Sequence, residues 1–572
     1  MNIFESYLKE LSNLIKKNQK KLELKEINNF KGVNLEIPPS NISSDLSTNI
    51  CMILAKINKI NPKNLAIKIK NLISDNISDF KKVEIAGPGF LNFQLSDEAL
   101  ITIINNIIKD DKNFGSAKTN YSYNVEFVSA NPTGPMHVGH CRGAIFGDVL
   151  SNLLKFNGNK VTKEYYINDY GNQIKNFVKS VFLRIREIKF NEKFINEIDL
   201  YPGEYIKEIA NKIINKSKLN FNSLEENYDF LEKESLGYSM EMIKRDLEKL
   251  GISHDSFISE KSIVKSNAVE KAINQLKKSN YVEEGYLDPP KGEEKKNWKK
   301  TKRLIFKSKM FGDDANRALQ KNDGSWTYFA NDLAYHYNKV SRKYEKLINV
   351  LGADHTGYVK RIEGVVKALS ENKTNLECKI CQLVKLFKNG SPFKMSKRAG
   401  DFISVNDLLN EVNKDSIRFM MLNRSNDVEL DFDFDKVLEK SKENPVFYVQ
   451  YCHARIKSIF RTLKLKKDEK LNVKNSEIKF NKYEKEIIKK IFEWPKIIKI
   501  SSTKYEPHRI PFYLYELATL FHSYWSKGNE DEKFKFIKDK KINYNVMIII
   551  KLILIVLQNG MNILNVSLPE KM

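Results

Sequence analysis

Cysteine, glycine and proline are all scarce in this chain of 572 residues. It has 24 glycines, 15 prolines and 5 cysteines, which are Cys51, Cys141, Cys378, Cys381 and Cys452. An odd and widely spaced set of cysteines does not make a disulfide framework, so we expect a reducing compartment. With 41% hydrophobic and 29% charged residues, the low glycine and proline content excludes the disordered and fibrous classes of protein.

Features typical of metal and membrane proteins are sparse as well. Cys378 and Cys381 form a single CxxC pair, whereas a structural zinc site normally needs a second pair or nearby histidines. We therefore expect no structural metal. The longest apolar stretch, residues 547–557, is interrupted by Lys551 and is too short to span a bilayer, so it predicts a buried helix. Residues 1–9 lack the basic region and apolar core of a signal peptide, and we expect a cytoplasmic protein without membrane contact.

Positive charge is abundant. Lysine and arginine number 96 against 72 aspartates and glutamates, a net charge of +24. A balance this basic favours a polyanionic partner, and nucleic acid is the leading candidate. Lysine is common throughout the chain, so a solvated surface without a function is the alternative. The length predicts three or four domains.

The residue patterns begin with an N-terminal α+β module and continue with an α/β unit. Residues 1–115 have helical patterns at both ends and an alternating stretch, 90–95, that predicts a strand after a Gly-Pro-Gly turn. A strand at 124–129, a loop, a helix at 140–156 and a second strand at 161–167 then follow. Strand, loop and helix in this order are typical of a nucleotide-binding α/β unit.

A long charged stretch interrupts the α/β pattern. Residues from about 175 to 300 predict an insertion, with an exposed hairpin or linker at 291–303. A strand near 326–330, a helix near 331–344 and a strand at 347–351 restore the alternation.

Helical periodicity from about residue 440 to the end predicts an all-α helical bundle. We therefore divide the chain into the module (1–115), an α/β domain (116–405), a connecting stem (406–440) and the bundle (441–572).

The segment His137-Val138-Gly139-His140 stands at the start of the predicted helix 140–156. Two imidazoles at a helix N-terminus offer hydrogen-bond donors and the positive end of a dipole to phosphate oxygens, and the glycine leaves room for a flat base. ATP carries both of these groups. Two exposed or locally bonded histidines are the alternative interpretation of this segment taken alone.

A basic segment, Lys394-Met395-Ser396-Lys397-Arg398, follows Gly390, Ser391 and Pro392 in a predicted loop. A mobile loop with three cations can close on the β- and γ-phosphates of ATP and stabilise charge on departing pyrophosphate. Taken alone, a basic pentamer of this kind is usually a solvated turn.

In this order, and with an α/β domain between them, the two segments resemble the HIGH and KMSKS motifs of class I aminoacyl-tRNA synthetases. The resemblance implies a Rossmann-like catalytic domain with insertions, in an α/β protein with an N-terminal α+β module and an all-α C-terminal helical bundle. It also implies attack of an amino-acid carboxylate on the α-phosphate of ATP with Mg²⁺, then transfer of the acyl group to the terminal adenosine of tRNA. Catalysis of this kind is mostly positioning and charge stabilisation.

Residue by residue, the resemblance gives catalytic roles to His137, His140, Lys394 and Lys397. The histidines hold the phosphates, Gly139 accommodates adenosine, and the lysines clamp the triphosphate together with Met395 and Ser396 of the same loop. Arg398 stands where the motif usually has serine, a change that the family tolerates.

Further segments resemble arginyl-tRNA synthetases in particular. These are residues 125–131, 167–173, 327–332, 352–355, 444–451 and 566–572. The partners that this resemblance implies are L-arginine, ATP and tRNA(Arg), and its default assembly is a monomer. Lysine or glutamine as the substrate, and an RNA-binding paralogue without activity, are the alternatives.

The chemistry of arginine leads to the same residues. A guanidinium is a planar, permanent cation, so its pocket needs an ionised carboxylate and further acceptors. Asp332, with Tyr328 four residues earlier, suits this task at the start of a helix, where the helix dipole favours the charged carboxylate. By resemblance, the other residues of the arginine site are Glu126, Ser129, Asn131, His137 and His355 or Asp354. An ordinary helix cap or surface polar residue is the alternative for each one alone.

Two groups of residues are candidates for tRNA binding. Phe90 and Asn92 occupy the turn and strand of the N-terminal module, which resembles the family's tRNA-elbow-binding domain. Tyr448, Tyr451 and Arg455 lie on the first long helix of the bundle, which resembles an anticodon-binding domain. Aromatic and basic side chains suit unstacked bases, although buried core aromatics are the alternative. Because a site built for a guanidinium rejects uncharged competitors strongly, we expect no proofreading activity.

Overall fold

The computed structural model describes residues 2–25, 27, 30–39, 41–287, 301–393, 403–464, 473–474 and 478–572. Residues 394–402 lie outside the described residues, and with them five residues singled out in the sequence: Lys394, Met395, Ser396, Lys397 and Arg398. Most of the predicted hairpin or linker at 291–303 lies outside them as well.

The N-terminal module is an antiparallel sheet packed against helices. The strands, in the order β1-β2-β4-β3, and the helices are β1 (Leu35–Glu36), β2 (Leu46–Thr48), β3 (Phe80–Ala86), β4 (Phe90–Leu95), α1 (Ile3–Lys17), α2 (Ile50–Asn58), α3 (Pro62–Asn76) and α4 (Asp97–Asp110). The predicted strand 90–95 is confirmed. Gly87 and Gly89 make the preceding turn with φ of 52° and 141°, where a Cβ at Gly89 would lie 3.2 Å from Pro62.

A five-stranded parallel sheet forms the centre of the α/β domain. Its strands are β5 (Ser122–Glu126), β6 (Lys160–Ile167), β7 (Ser256–Ser259), β11 (Lys346–Gly352) and β12 (Asn375–Cys381), in the order β12-β11-β5-β6-β7. The first of these strands in the chain, β5, lies in the middle of the sheet. Strands β6 and β7 follow on one side of it, and β11 and β12 are then added on the other side. This is a Rossmann-like, doubly wound order, with a switch point between β5 and β11.

Helices cover this sheet. Those that bound the site are α5 (Val138–Phe156), α11 (Tyr328–Ser341) and α12 (Val359–Ser370). The predicted strand near 326–330 is wrong, because α11 begins at Tyr328. The Thr327 side chain accepts a hydrogen bond from the Ala330 N–H and so caps the helix, which directs the aromatic ring of Phe329 into the core.

The described residues of the predicted insertion, about 175–300, form a group of helices and then a strand of the parallel sheet. Three helices, α6 (Asn172–Phe190), α7 (Glu204–Lys216) and α8 (Leu224–Lys249), pack around a core of their own. The chain then returns to the parallel sheet as its edge strand β7. The remaining elements up to α11 are α9 (Glu260–Lys265), α10 (Ala268–Lys278), β8 (Val282–Gly285), β9 (Arg303–Phe306) and β10 (Arg317–Ala318). The last three strands pair antiparallel.

Between the parallel sheet and the bundle, β13 (Val384–Lys388) pairs with β14 (Ser391–Pro392) and with β15 (Leu430–Asp433). The helices of the predicted stem, 406–440, are α13 (Val405–Glu411), α14 (Lys414–Met421) and α15 (Phe434–Leu438). The bundle consists of α16 (Pro445–Thr462), α17 (Lys482–Thr503), α18 (Arg509–Glu530) and α19 (Tyr544–Leu564), with a small hairpin of β16 (Ile537–Lys538) and β17 (Lys541–Ile542).

Helix α19 is apolar and long enough to cross a membrane by length and composition, but 72% of its apolar window is buried inside the protein. It packs against α17 and α18 of the bundle and also against α5 and α4. The buried helix predicted at 547–557 is therefore confirmed, and it extends from Tyr544 to Leu564. It is a core helix that connects the bundle with the rest of the molecule.

Candidate active site

A pocket of about 190 Å³ lies at the carboxyl ends of β5, β6 and β11, which include the switch point of the sheet. Ligands of doubly wound sheets bind at this position. The pocket is lined by Glu126, Val128, Ser129, Tyr166, Asn168, Asp332, Tyr335, His336, Asn349, Val350, Leu351, Gly352, His355, Tyr358 and Ile362. In the part of the chain that the structure describes, no lysine or arginine is among the lining residues, so the pocket suits a cation.

The loop that follows β5 has an unusual backbone. Val128 and Ser129 have φ of 72° and 41°. A β-branched residue in this region is strained, at a cost of about 1–3 kcal/mol, and such strain is concentrated at functional sites. The Ser129 hydroxyl donates to Glu126 at 3.1 Å and accepts a hydrogen bond from the Tyr166 N–H at 3.1 Å. The strained loop thus holds Ser129 between two other residues of the pocket.

Glu126 is embedded in a buried polar network. Its carboxylate accepts hydrogen bonds from Lys339 Nζ at 2.5 Å and from the Tyr335 hydroxyl at 3.1 Å. Lys339 also donates to Asn349 at 2.7 Å. The neighbouring Glu164 is paired with Arg342, which holds the pKa of that carboxyl below its ordinary value against the effect of burial. Lys339 and Arg342 therefore balance the charges of the two buried glutamates.

Asp332 differs from Glu126 because no cation contacts its carboxylate among the described residues. Burial raises the pKa of Asp332 to about 6, although the hydrogen bond that the Tyr358 hydroxyl donates lowers it. Burial therefore opposes the helix dipole at Asp332, but a pKa of about 6 still leaves the carboxylate largely ionised at pH 7. Its carboxylate is the acidic group of the pocket that a cationic ligand would pair with.

A second acidic group lies beside Asp332. Burial raises the pKa of Glu260 to about 7, and a hydrogen bond from Asn331 Nδ2 at 3.1 Å opposes this rise. No sequence pattern indicates Glu260, because it precedes α11 by a long stretch of chain. Only the fold brings it next to Asn331 and Asp332.

The residues predicted to bind arginine fall into two groups, those at the pocket and those outside it. Glu126, Ser129, Asp332 and His355 line the pocket. Asn131 lies next to it, since Nδ2 of Asn168, a pocket residue, donates to the side-chain Oδ1 of Asn131 at 3.0 Å. Tyr328 is 67% exposed, with its ring beside Gly171, and does not line the pocket. His137 lies at the start of α5 and does not line it either.

The two histidines of the HVGH segment cap α5 together. Nδ1 of His137 accepts the Gly139 N–H at 3.1 Å, and Nδ1 of His140 accepts the His137 N–H at 3.3 Å. Their ring centroids lie 3.8 Å apart, with the two ring planes tilted by 33°. Burial lowers the pKa of both, that of His140 to about 4, so both are neutral at pH 7. With Nδ1 acting as acceptor, the proton of each neutral ring is on Nε2.

Gly139 is confined by this arrangement. A Cβ at its position would lie 2.9 Å from Cε1 of the His137 ring. Any side chain at residue 139 would therefore displace the histidine.

The segment that begins at Ile403 is hydrogen-bonded to the HVGH segment. The Val138 N–H donates to the Ile403 carbonyl at 2.9 Å, and the Val405 N–H donates to the Met136 carbonyl at 3.1 Å. His137 and Ser404 form an antiparallel bridge. Although residues 394–402 are outside the described part, the chain on their C-terminal side runs alongside the start of α5.

Comparison with known proteins decides the family. The family model "tRNA synthetases class I (R), catalytic domain" matches residues 103–460, "Arginyl tRNA synthetase N terminal domain" matches 9–95, and "DALR anticodon binding domain" matches 449–572. The arginine-tRNA ligase of Pelagibacter ubique is 52% identical over 577 residues, covering 100% of both chains. The chain belongs to the arginyl-tRNA synthetase family. The arginine-tRNA ligase of Wolbachia pipientis wMel is 43% identical, again over 100% of both chains.

Solved structures of arginyl-tRNA synthetases share the fold. The enzyme from Thermus thermophilus has a TM-score of 0.69 at 17% identity, covering 99% of this chain and 100% of that one. The enzyme from Plasmodium falciparum has a TM-score of 0.68 at 16% identity, covering 99% of both. The predicted fold class, with its Rossmann-like centre, N-terminal module and helical bundle, is confirmed.

The region that matches the anticodon-binding family model contains a cluster of aromatic and basic side chains. The Arg455 guanidinium lies 4.3 Å from the centre of the Tyr451 ring and 5.0 Å from that of Trp525. Tyr448 packs against His522 at 4.3 Å between centroids. Tyr451, Arg455 and Trp525 line a pocket of about 520 Å³ with the C-terminal residues Lys571 and Met572. Trp525 was not predicted, because α18 reads as a core helix in sequence.

The two candidate residues of the N-terminal module differ in exposure. Phe90 is half-buried at the start of β4, directly after the Gly87–Gly89 turn. Asn92 is only 6% exposed, in the middle of the sheet between Ser47 and Glu84.

Metal ligands are not grouped in the described residues. No cluster of three or more histidine, cysteine, aspartate or glutamate side chains suitable for a metal ion occurs among them. Cys378 and Cys381 are free thiols in β12, and burial raises the pKa of Cys381 to about 12.

Proposed function

We propose that the pocket at the switch point binds arginine and that the HVGH segment binds ATP. The two substrates react to form arginyl-adenylate, from which the arginyl group is transferred to tRNA. The overall activity, ATP-dependent charging of tRNA with arginine for translation, follows from membership of the family. The proposal concerns the route and the residues. It rests on one observation above all, the acidic pocket lined by Asp332, whose lining residue Val350 lies against Gly143 in the second turn of α5.

For arginine, the residues with proposed roles are Glu126, Ser129, Asn131, His137, Tyr328, Asp332 and His355. Asp332, with no cation on its carboxylate among the described residues, pairs with the guanidinium, and Glu260 adds negative charge behind it. Glu126 is already paired with Lys339, so it serves as an acceptor rather than as the main counter-charge. Tyr328 and His137 would contact the ligand from outside the pocket.

For ATP, the proposed residues are His137, Gly139, His140 and, outside the described part, Lys394, Met395, Ser396 and Lys397. Because the two imidazoles are neutral, they contribute Nε2–H donors rather than charge. Lys394 and Lys397 then supply positive charge to the triphosphate. Mg²⁺ enters with ATP as part of the substrate complex and adds charge neutralisation at the phosphates.

For tRNA, Tyr448, Tyr451 and Arg455 are proposed to bind unstacked bases, with Phe90 and Asn92 at the elbow. The contacts of the Arg455 guanidinium with two aromatic rings support this role for the bundle. The low exposure of Asn92 favours Phe90 as the contact residue in the module. We further propose a monomer that acts in the cytoplasm without membrane contact.

The proposed route is tested by charging assays with labelled arginine, lysine or glutamine, unfractionated tRNA and ATP. Arginine alone should become esterified, with release of AMP and pyrophosphate because attack is at the α-phosphate. Release of ADP and phosphate, or charging with lysine at a comparable rate, would contradict the proposal. Hydrolysis of tRNA charged with a wrong amino acid would contradict the expected lack of proofreading.

A further inference from the structure

One carboxylate of the inserted helices contacts both segments that flank the proposed ATP site. Asp246 lies on α8 and is 2% exposed. One of its oxygens accepts the Met136 N–H at 3.1 Å, directly before His137. The other accepts Asn406 Nδ2 at 3.3 Å, in the first turn of α13.

The same two segments are joined by backbone hydrogen bonds between residues 136–138 and 403–405. This pairing is short, since it consists of a single antiparallel bridge between His137 and Ser404. Asp246 reaches it from a third element and contacts each segment at a different oxygen. It therefore fixes the distance between the start of α5 and the start of α13 more tightly than the backbone bridge alone.

We propose that Asp246 is a positioning residue for adenylate formation, which holds the HVGH segment and the start of α13 in their reactive arrangement. This gives the inserted helices a role in catalysis that their sequence does not indicate. The inference rests on the proposed assignment of ATP to the HVGH segment. Asp246 does not line the arginine pocket, so it acts through the segments it holds.

The contacts require a carboxylate at position 246 rather than an amide. Lys249, one turn later on α8, donates to Oδ1 of Asn406. This fixes the Asn406 amide with its NH₂ group toward Asp246. An asparagine at 246 must present its own NH₂ either to Asn406 or to the Met136 N–H. In both orientations two donors face each other and one contact is lost.

The test uses the full chain with tRNA, arginine and ATP and measures arginine-dependent pyrophosphate exchange. Asp246→Asn should lower kcat by about tenfold or more, while KM for arginine stays within about twofold, because the arginine pocket is untouched. Asn406→Ala, at a half-buried position that tolerates a smaller side chain, should lower kcat in the same way. Glu248→Gln, on the exposed side of α8, is the matched control and should leave kcat unchanged.

The decisive variant is the exchange of the two side chains, Asp246→Asn with Asn406→Asp. The new amide accepts from Met136 and donates to the new carboxylate, which keeps its contact with Lys249. The double variant should recover kcat to within about threefold of the wild type. Wild-type kcat in Asn406→Ala, or a double variant no better than the single ones, would overturn the inference. Absence of exchange in the wild-type protein would instead count against the proposed function.

Discussion

The ammonium group of Lys339 lies 2.5 Å from a carboxylate oxygen of Glu126, and both side chains are almost completely buried. Lys339 is on α11, the helix that also carries Asp332, and Glu126 ends β5. One ion pair therefore couples the strand at the switch point to the helix that presents the acidic group of the pocket.

Removal of the cation from this pair should destabilise the fold. Lys339→Met leaves Glu126 buried without its partner, and loss of one member of a buried pair costs about 3–5 kcal/mol. Urea denaturation should show this loss, and the further change Glu126→Gln should recover a large part of it. Lys343→Met, at an exposed position two residues beyond α11, is the control with the same change in charge. Equal stability of the two lysine variants would contradict the role of the pair.

Arginine affinity should depend on pH through Asp332 and Glu260. Burial raises the pKa of these groups to about 6 and about 7, whereas a bound guanidinium favours their ionised forms. The Kd for arginine should therefore increase as pH falls from about 8 to 6, with release of protons on binding. Titration calorimetry at pH 6.5 in buffers of different ionisation enthalpy measures that release. Proton uptake on binding would contradict the assignment.

The same shifts affect stability without ligand. Because both pKa values are higher in the folded protein than in the unfolded chain, their contribution to stability is present at low pH. It is lost as pH rises through about 6 to 7. Asp332→Asn should reduce this loss in unfolding experiments compared at pH 5.5 and 8, and an unchanged pH dependence would count against the raised pKa.

A methyl group at position 139 should impair the proposed ATP site. In Gly139→Ala, the new Cβ would lie 2.9 Å from the His137 ring, which has to move. We expect a loss of about tenfold or more in kcat/KM for ATP in pyrophosphate exchange, with KM for arginine affected less. Gly143→Ala is the control on the same helix, since its Cβ would meet nothing closer than 4.0 Å. If both alanine variants have the same kcat/KM, the crowding at His137 is unimportant.

Trp525→Ala should weaken tRNA binding. The indole lies on one side of Arg455 in the bundle pocket, and the loss of a stacking aromatic costs about 1–3 kcal/mol per base. KM for tRNA should increase roughly tenfold or more in charging assays, while KM for arginine stays the same. Phe512→Ala removes an exposed ring from the same helix and serves as the control. An increase in KM for tRNA in Phe512→Ala but not in Trp525→Ala would place the RNA contact elsewhere on the bundle.

Sequence reasoning found the elements whose signal is local. The predicted strand 124–129 overlaps β5 at residues 124–126, and the helix that follows was predicted within two residues of its observed start. Strand β7 was missed because its four residues, at the half-buried edge of the sheet, form no apolar run. The start of α11 was misassigned because aromatic residues around Tyr328 favour a strand locally, while the Thr327 cap determines a helix.

Residues whose role depends on partners distant in the sequence have no local pattern that predicts them. Lys339 pairs with Glu126 across 213 positions of the chain, and Asp246 contacts Met136 across 110. Glu260 and Trp525 likewise acquire a role only when the fold brings other elements beside them. The residues Glu126, Ser129, Asp332 and His355, which line one pocket, could be named from the sequence. The charges that balance this pocket could not, because pairing in a buried network depends on the tertiary structure.

The central claim is that arginine binds through Asp332 and reacts with ATP to form an adenylate. Its most direct test is amino-acid-dependent exchange of pyrophosphate into ATP, with arginine, lysine or glutamine, each with and without tRNA. Exchange with arginine only, reduced by about a hundredfold or more in kcat/KM by Asp332→Asn, is the predicted result. Exchange with another of these amino acids at a similar rate, or full activity of Asp332→Asn with arginine, would contradict it.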